Sequence, residues 1–520
     1  MSDTTITYLV LGVVVAVFVW DHLPVAAVAL GTALTLWATG VLTLDQSLAG
    51  FGDPTVIFIA SLFVVSEALD ATGITAWLGQ ALIDRAGDSR SRVIVFTLLL
   101  VAVLTALISV NGSVAALLPV VAVMAVRLRR SASQLMMPLA FGAHAGSLLT
   151  LTGSPVNVIV SQAADDAGVG RFGYFDFAVA GIPLLVGTIV FVVVFGERLL
   201  PSRKVRSATR DFSNLARTLV DQYALDEDPE ALVSRRSGLA EVVVPPRSAL
   251  VGEPVFPGMV TDSGDLAVMA IQRKGEDVSG ETKLAVGDTM VLRGTWGALE
   301  YHLDDPELLV VDEPRMVRRQ AVPFGPGAWR TMAVLAAMVV LLATGAVPPA
   351  VAGLLAAGAI VVTRVLTIDQ AYRGIAWTTV ILVAGMIPLS TAMTETGAAG
   401  DLADALVDTI GDLGAHALLF GLVVLTIVLG QLISNTATAL IVIPIAVSAA
   451  AELDVSPKPM LMAVCVAAAA SFLTPVATPA NLMVMEPGGY RFGDYWKLGL
   501  PLLVLYGIVA VGLVPLVWRF

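Results

Sequence analysis

Residues 42–46 read LTLDQ, and residues 366–370, 324 positions later, read LTIDQ. The same offset of 324 pairs ATG at 71–73 with ETG at 395–397, Asn111 with Asn435, and GSPVN at 153–157 with ATPAN at 477–481. RFG recurs at 171–173 and 491–493, so four residues are lost late in the register. Matches held over more than a hundred residues are not reached by chance, and the chain reads as an internal duplication.

Apolar runs cover roughly 5–198 and 328–518, and 14% of the 520 residues are charged where a soluble domain averages about 25%. The chain is therefore expected to be a polytopic membrane protein lying in a lipid bilayer. Its first apolar run, ITYLVLGVVVAVFVW, has no basic stretch before it and reads as a first span, not a cleaved signal. A net charge of −12 argues against a nucleic-acid partner. Cys465, the only cysteine, lies in an apolar run and reads as packing. Between the runs, 201–325 is charged and Pro/Gly-punctuated, with short alternating stretches (AEVVVPP, LAVMAIQR, DTMVLRG) that read as strands.

Charge decides the sense of the repeats. The first half carries basic clusters at Arg85, Arg90 and Arg92, at Arg127, Arg129 and Arg130, and at Arg198, Arg203, Lys204, Arg206 and Arg210. In 395–416, the equivalent of 71–92, stand Glu395, Asp401, Asp404, Asp408 and Asp412 with no Lys or Arg. Equivalent loops then face opposite sides, so the repeats are inverted. The expected fold is an all-α polytopic membrane protein of two inverted repeats, five spans each, with re-entrant hairpins, broken helices and a small α/β cytosolic insert. Repeat 1 (1–200) would hold spans near 5–20, 23–40, 53–70 and 177–197, an amphipathic stretch at 74–88, a hairpin at 92–127 and a broken span at 133–163. Repeat 2 (326–520) would hold spans near 330–346, 349–364, 376–394 and 498–518, an arm at 398–412, a hairpin at 414–451 and a broken span at 459–485. Both chain ends would lie outside the cell membrane and the insert in the cytoplasm.

Non-helical backbone at membrane depth is tolerated only when buried in protein or lining a cavity. The hairpin tips and the breaks at TGSPVN and TPVATPAN are four such places, paired by the duplication, and inverted repeats with interrupted helices are characteristic of secondary transporters. Helices are expected to begin near Ser113, near Thr436, and after Pro155 and Pro479. Their free N–H groups suit an anion, and the carbonyls just before them suit sodium. Ser109, Asn111, Ser113, Thr152, Ser154, Asn157, Ser434, Asn435, Thr436, Thr438, Thr474, Thr478 and Asn481 add hydroxyls and amides. No charged residue occurs in 131–164, 413–451 or 459–485, so a bound charge must be met by dipoles, neutral groups and co-bound ions. That favours an anion carried with sodium. His144 reads as a satisfied buried imidazole, and Glu67 and Asp70 as a solvated helix end. No metal cluster or nucleophile–base pair suggests an enzyme.

SNTATALIVIPIA with TPVATPAN, and NGSVAALLP with TLTGSPVN, resemble the divalent anion/sodium symporter family over both membrane halves. The resemblance implies a homodimer working by an elevator movement, carrying a dicarboxylate or sulfate. It implies substrate contacts from Asn111, Gly112, Ser113, Ser154, Pro155, Asn157, Ser434, Asn435, Thr436, Thr478, Pro479 and Asn481. Sodium would be held by Ser109, Asn111 and Gly153 in one half and by Ser434, Asn435 and Ala477 in the other. Where the family pattern has Ser-Asn-Thr, the first tip here has Val110, Asn111 and Gly112, which weakens its sodium site. The insert resembles, over about 236–305, a TrkA-C (RCK-C) domain, which implies modulation by a small cytosolic ligand. A cation/proton antiporter or oxyanion efflux permease on the same scaffold, and a membrane-embedded sensor, are the alternative readings.

Overall fold

A computed structural model describes residues 1–20, 22–75, 77–78, 89–127, 131–203, 219–220, 222–223, 232, 234, 237–261, 263–278, 280–303, 307–312, 314, 317, 324–410, 414–475 and 477–520. Arg85, Arg129, Arg130, Lys204, Arg206, Arg210 and Asp412, and most of the stretch 74–88, lie outside the described residues. The chain forms two compact units. One comprises Met1–Ala68, Gly79–Ala208 and Trp329–Phe520, and the other Leu69–Leu78 with Thr209–Ala328.

The larger unit is helical. Among the described residues, eight helices are long and apolar enough to cross a bilayer. The first repeat runs α1 (Asp3–Trp20), α2 (Val25–Ala38), α3 (Leu44–Leu48) and α4 (Pro54–Ala71), then α5 (Arg90–Leu107) and α6 (Val110–Arg127). It ends with α7 (Met136–Gly146), α8 (Pro155–Asp166) and α9 (Ala178–Leu199). The short α3 was not anticipated from hydropathy. It is set by a capping box in which the Thr43 hydroxyl accepts from Gln46 N and the Gln46 side chain accepts from Thr43 N.

The smaller unit is the α/β insert. Its strands are β1 (Ser237–Val243), β2 (Pro254–Val255), β3 (Leu266–Arg273), β4 (Glu276–Asp277), β5 (Thr282–Lys283), β6 (Thr289–Thr295) and β7 (Leu309–Val310). Of these, β1, β3 and β6 fall on the alternating stretches read from the sequence, and the two-residue strands β2, β4, β5 and β7 lie outside them. Five make an antiparallel sheet in the order β4-β3-β6-β1-β7. Alternation along β1 puts Ala240 and Val242 in one core with Leu292 and Trp296, and Leu239 in another with Tyr223 and Val291. Helix α10 (Trp296–His302) follows β6, and Trp296 lies where a Cβ on Gly238 would stand, 2.2 Å from its ring. Arg273 pairs with Asp288 through two N–H···O contacts of 2.9 and 2.7 Å.

The second repeat continues in the larger unit with α11 (Ala328–Thr344), α12 (Pro349–Val362), α13 (Ile368–Gly374), α14 (Trp377–Glu395) and α15 (Ala398–Ile410). Then come α16 (Ala415–Leu432), α17 (Asn435–Glu452), α18 (Lys458–Ala468), α19 (Pro479–Gly488) and α20 (Tyr495–Ile508), which runs on through a π turn at Val509–Leu513. Here Thr367 and Gln370 repeat the capping box of Thr43 and Gln46. The architecture is that of two inverted repeats with hairpins and broken helices.

Two helix sets can be distinguished by what touches what. Helices α1, α2 and α3 of the first repeat pack with α14 of the second. Gly50 and Gly385 make this seam possible, because a Cβ on either would sit 2.0 Å from Ala384 O or 2.7 Å from Ala29 O. The hairpins and broken spans of both repeats form the other set, α5–α9 with α16–α20. Within it α7 lies against α5 through Gly142 and Gly146, the close approach that small residues four apart allow. The two sets meet where α14 and α15 lie along α17.

Candidate functional site

Each hairpin turns back over two residues, Ile108–Ser109 and Ile433–Ser434. The helix after the first starts earlier than expected, at Val110 instead of near Ser113, and the helix after the second starts at Asn435, next to the expected Thr436. Serine capping is the reason. Ser109 Oγ accepts from Gly112 N at 3.2 Å, and Ser434 Oγ accepts from Ala437 N at 3.3 Å. Asn111, Gly112, Asn435 and Thr436 therefore stand in first helical turns, beside uncapped N–H groups.

The breaks are built alike. Ser154 and Thr478 cap α8 and α19, and Pro155 and Pro479 occupy the first helical position, where a missing N–H costs nothing. Asn157 Nδ2 donates to Ser147 O at 2.7 Å and Thr150 O at 2.8 Å. Asn481 Nδ2 donates to Ser471 O at 2.7 Å and Thr474 O at 3.1 Å, the same bonds 324 positions on. Both asparagines are 0% exposed. Their carboxamides tie down the unwound backbone and do not face open space, which makes them supports of the site. Gly153 is required because a Cβ there would lie 2.4 Å from Ser147 O.

In the second repeat, tip and break are joined. Ser471 Oγ donates to Asn435 Oδ1 and to Gly430 O, and Ser471 O accepts from Asn481. Gln431 pins the same stretch, donating to Ala470 O and accepting from Leu473 N, both at 2.9 Å. Asn435, Ser471, Thr478 and Asn481 thus belong to one hydrogen-bonded cluster, with the Ser434 cap next to Asn435 in the chain and Ala477 buried next to Thr478. The hydroxyl of Thr438 is buried without a partner on the same helix.

In the first repeat, that junction is missing. The break is tied instead to the end of α5, where the Thr150 and Thr152 hydroxyls donate to Ala106 O at 2.6 and 3.1 Å. Ser147, the counterpart of Ser471, donates to His144 O. Ser113 bonds Thr105, Ser109 O and Val110 O. The Asn111 side chain is exposed and makes no hydrogen bond with the described residues. Ser154 and Pro155 are half-buried, and Gly112 lies near Ser66, whose Oγ would be 3.7 Å from a Cβ there.

The repeats interlock around these places. Helix α8 packs on α17 and α18, and α19 on α6 and α7. Sequence reasoning missed Ser471 and Gln431. Ser147 and Ser471 keep the 324 offset, which could have flagged them. A separate cavity of about 180 Å³ lies between α4, α8, α14 and α17, with Asp53, Thr55, Gln162, Asp166, Ser390 and Thr391 in its wall. Among the described residues, no group of three or more His, Cys, Asp or Glu could hold a metal.

A family model described as a citrate transporter (CitMHS) matches residues 15–451 and 413–520. The uncharacterized transporter YfbS of Escherichia coli (strain K12) is 30% identical over 98% of this chain and 98% of its own length. Sodium/sulfate cotransporter 1 of Chlamydomonas reinhardtii is 26% identical over 56% of this chain, matching 34% of that protein. The crystal structure of the YdaH transporter of Alcanivorax borkumensis, described as having an unusual topology, aligns with a TM-score of 0.50 at 12% identity. That alignment covers 97% of this chain and 99% of the other.

Proposed function

The chain belongs to the citrate transporter family, a family of multi-pass membrane transporters, and on that premise we propose that it carries a small divalent anion together with sodium. The observation that carries the reading is the joined tip and break of the second repeat. There the starts of α17 and α19 come together through Asn435, Ser471 and Asn481, in stretches without one charged residue. Helix N-termini attract an anion, and backbone carbonyls and amide oxygens suit sodium. Ser434, Asn435, Thr436, Thr478 and Pro479 contact the substrate, with Asn111, Gly112, Ser113, Ser154 and Pro155 in the first repeat. Ser434, Asn435 and Ala477 hold one sodium, and Ser109, Asn111 and Gly153 form a second, weaker site. The sodium/sulfate relative adds to the case for sodium and for sulfate or a dicarboxylate as substrate.

Movement follows an elevator. The set α5–α9 with α16–α20 slides as one body, carrying the site past the set built on α1–α3 and α14. The protein works as a homodimer in the plasma membrane, with both termini outside and 201–325 in the cytoplasm. Its TrkA-C-like stretch, about 236–305, modulates transport through a small cytosolic ligand.

One observation favours a cation route instead, because two carboxylates, Asp53 and Asp166, wall the 180 Å³ cavity. Uptake by reconstituted vesicles separates the readings. Sulfate or a C4–C6 dicarboxylate should enter only with an inward sodium gradient. Anion uptake indifferent to sodium, or sodium–proton exchange without any anion, would overturn the symport reading.

A further inference from the structure

Two buried side chains have no part in the transport reading so far. His144 is 1% exposed in α7 and Cys465 is 1% exposed in α18. Each points at the asparagine of the other repeat. His144 Nε2 lies 3.3 Å from Asn481 Oδ1 and 3.3 Å from Thr478 Oγ1. Cys465 Sγ lies 3.1 Å from Asn157 Oδ1.

The bonding leaves little freedom in how these groups are arranged. In both asparagines Nδ2 faces two carbonyl oxygens, so a flipped amide would set oxygen against oxygen. Oδ1 then needs a donor from elsewhere, and among the described residues His144 and Cys465 are the only side chains that reach it. Among the described residues His144 Nδ1 has no partner, so the proton is placed on Nε2 and is shared by Asn481 Oδ1 and Thr478 Oγ1. Thr478 is the cap of α19 and already accepts from Asn481 N.

We infer that His144 and Cys465 are positioning residues that hold the two breaks crosswise, His144 of the first repeat orienting Asn481 and Thr478 of the second, and Cys465 of the second orienting Asn157 of the first. The duplication itself hides this. The position equivalent to His144 is Ala468, and that equivalent to Cys465 is Phe141. The donor has moved by three residues, about one helical turn, so it keeps the same face of α7 or α18. The result is that neither break is fixed by its own repeat alone. A change at one site is felt at the other through a single side chain in each direction.

The consequence for transport rests on the symport reading, and the experiment has two arms so that the two can fail separately. The first arm follows the thiol. Cys465 is the chain's only cysteine, so labelling of the full-length protein with N-ethylmaleimide reports on it alone. Wild type should label slowly, Asn157→Ala several-fold faster, and Asn481→Ala at the wild-type rate, all three with cooperative melts. Equal rates in wild type and Asn157→Ala would overturn the inference whatever the protein transports.

The second arm titrates the melting temperature with sodium chloride in the presence of sulfate. His144→Met keeps the volume and loses the donor, and it should weaken apparent sodium affinity about 10–100-fold, as loss of a supporting shell does. His144→Gln restores an N–H and should return to within about threefold of wild type. If the Met and Gln variants behave alike, His144 is packing and the inference falls. If wild type itself is insensitive to sodium, the symport reading falls and the labelling arm still decides.

Discussion

Asn435 and Asn111 occupy equivalent positions, yet one is bonded to Ser471 and the other stands exposed without a partner. Asn435→Ala removes an amide oxygen from the junction of tip and break and leaves Ser471 without its acceptor on the tip. Uptake should fall by at least about 100-fold, because the amide proposed to meet the bound ions is lost together with the neutral bond that joins tip and break. Asn111→Ala should also abolish uptake, with the dimer still folded. Full activity in either variant would contradict the site assignment. The tips and break prolines were legible because polar clusters recurring 324 residues apart in apolar runs stand out from single hydroxyls. Ser471 and Gln431 were not, since a lone Ser or Gln in such a run looks like one that bonds its own helix, and only the 324 offset from Ser147 sets Ser471 apart. In the insert, the Arg273 guanidinium beside Asp288 holds that carboxyl below the usual carboxylate range. A depressed carboxyl stabilises the fold above its unfolded value and loses that contribution as pH falls through the folded value. Amide-exchange protection of 237–295 should therefore drop on acidification below about pH 4, the unfolded range. Asp288→Asn should lower protection already at neutral pH and flatten the acid response. An unchanged acid response would show the pair to be inert.

Helix existence was readable from apolar periodicity, but helix ends were set by groups too local for hydropathy to register. Ser109 moved the start of α6 forward, and Thr43 and Thr367 created the short helices α3 and α13 from T-x-x-Q alone. Close packing was equally invisible, because a glycine that meets backbone and one that meets nothing read the same. Gly146 is the first kind, with a Cβ position 2.4 Å from Ala102 Cα, and Gly12 the second, with nothing within 4 Å. Gly146→Ala must push α7 off α5 and should cost about 1–3 kcal/mol, measured as a lower melting temperature in detergent. Gly12→Ala should be silent. Gly153→Ala is the functional counterpart. Its Cβ would strike Ser147 O, the carbonyl that Asn157 holds, so uptake should fail even where the melt survives.

At the scale of the whole molecule, inversion makes a demand that no single residue makes. In one conformation, mirror-related contacts between the two helix sets cannot both be closed if the site is to open to one side only. Gly112 of the first tip lies near Ser66 on α4. The equivalents 324 positions on are Thr436 and Ser390, and Ser390 lines the wall of the 180 Å³ cavity. The first pair lies close together, whereas Ser390 of the second borders open volume. Deleting 210–315 should change the rate or dimer stability and leave the order of preferred anions intact, as a modulatory role for the insert requires. The exchange is tested by disulfides introduced in a Cys465→Ser background, which retains an O–H donor to Asn157. Ser66→Cys with Gly112→Cys should cross-link readily without ligand and trap the protein with uptake abolished. Ser390→Cys with Thr436→Cys should cross-link only under turnover, with sodium and substrate present, because that contact forms when the moving set has passed to the other side. Reduction should restore uptake in both. Equal cross-linking of the two pairs without substrate would mean that the sets do not exchange contacts, and an elevator could not be the way the anion crosses.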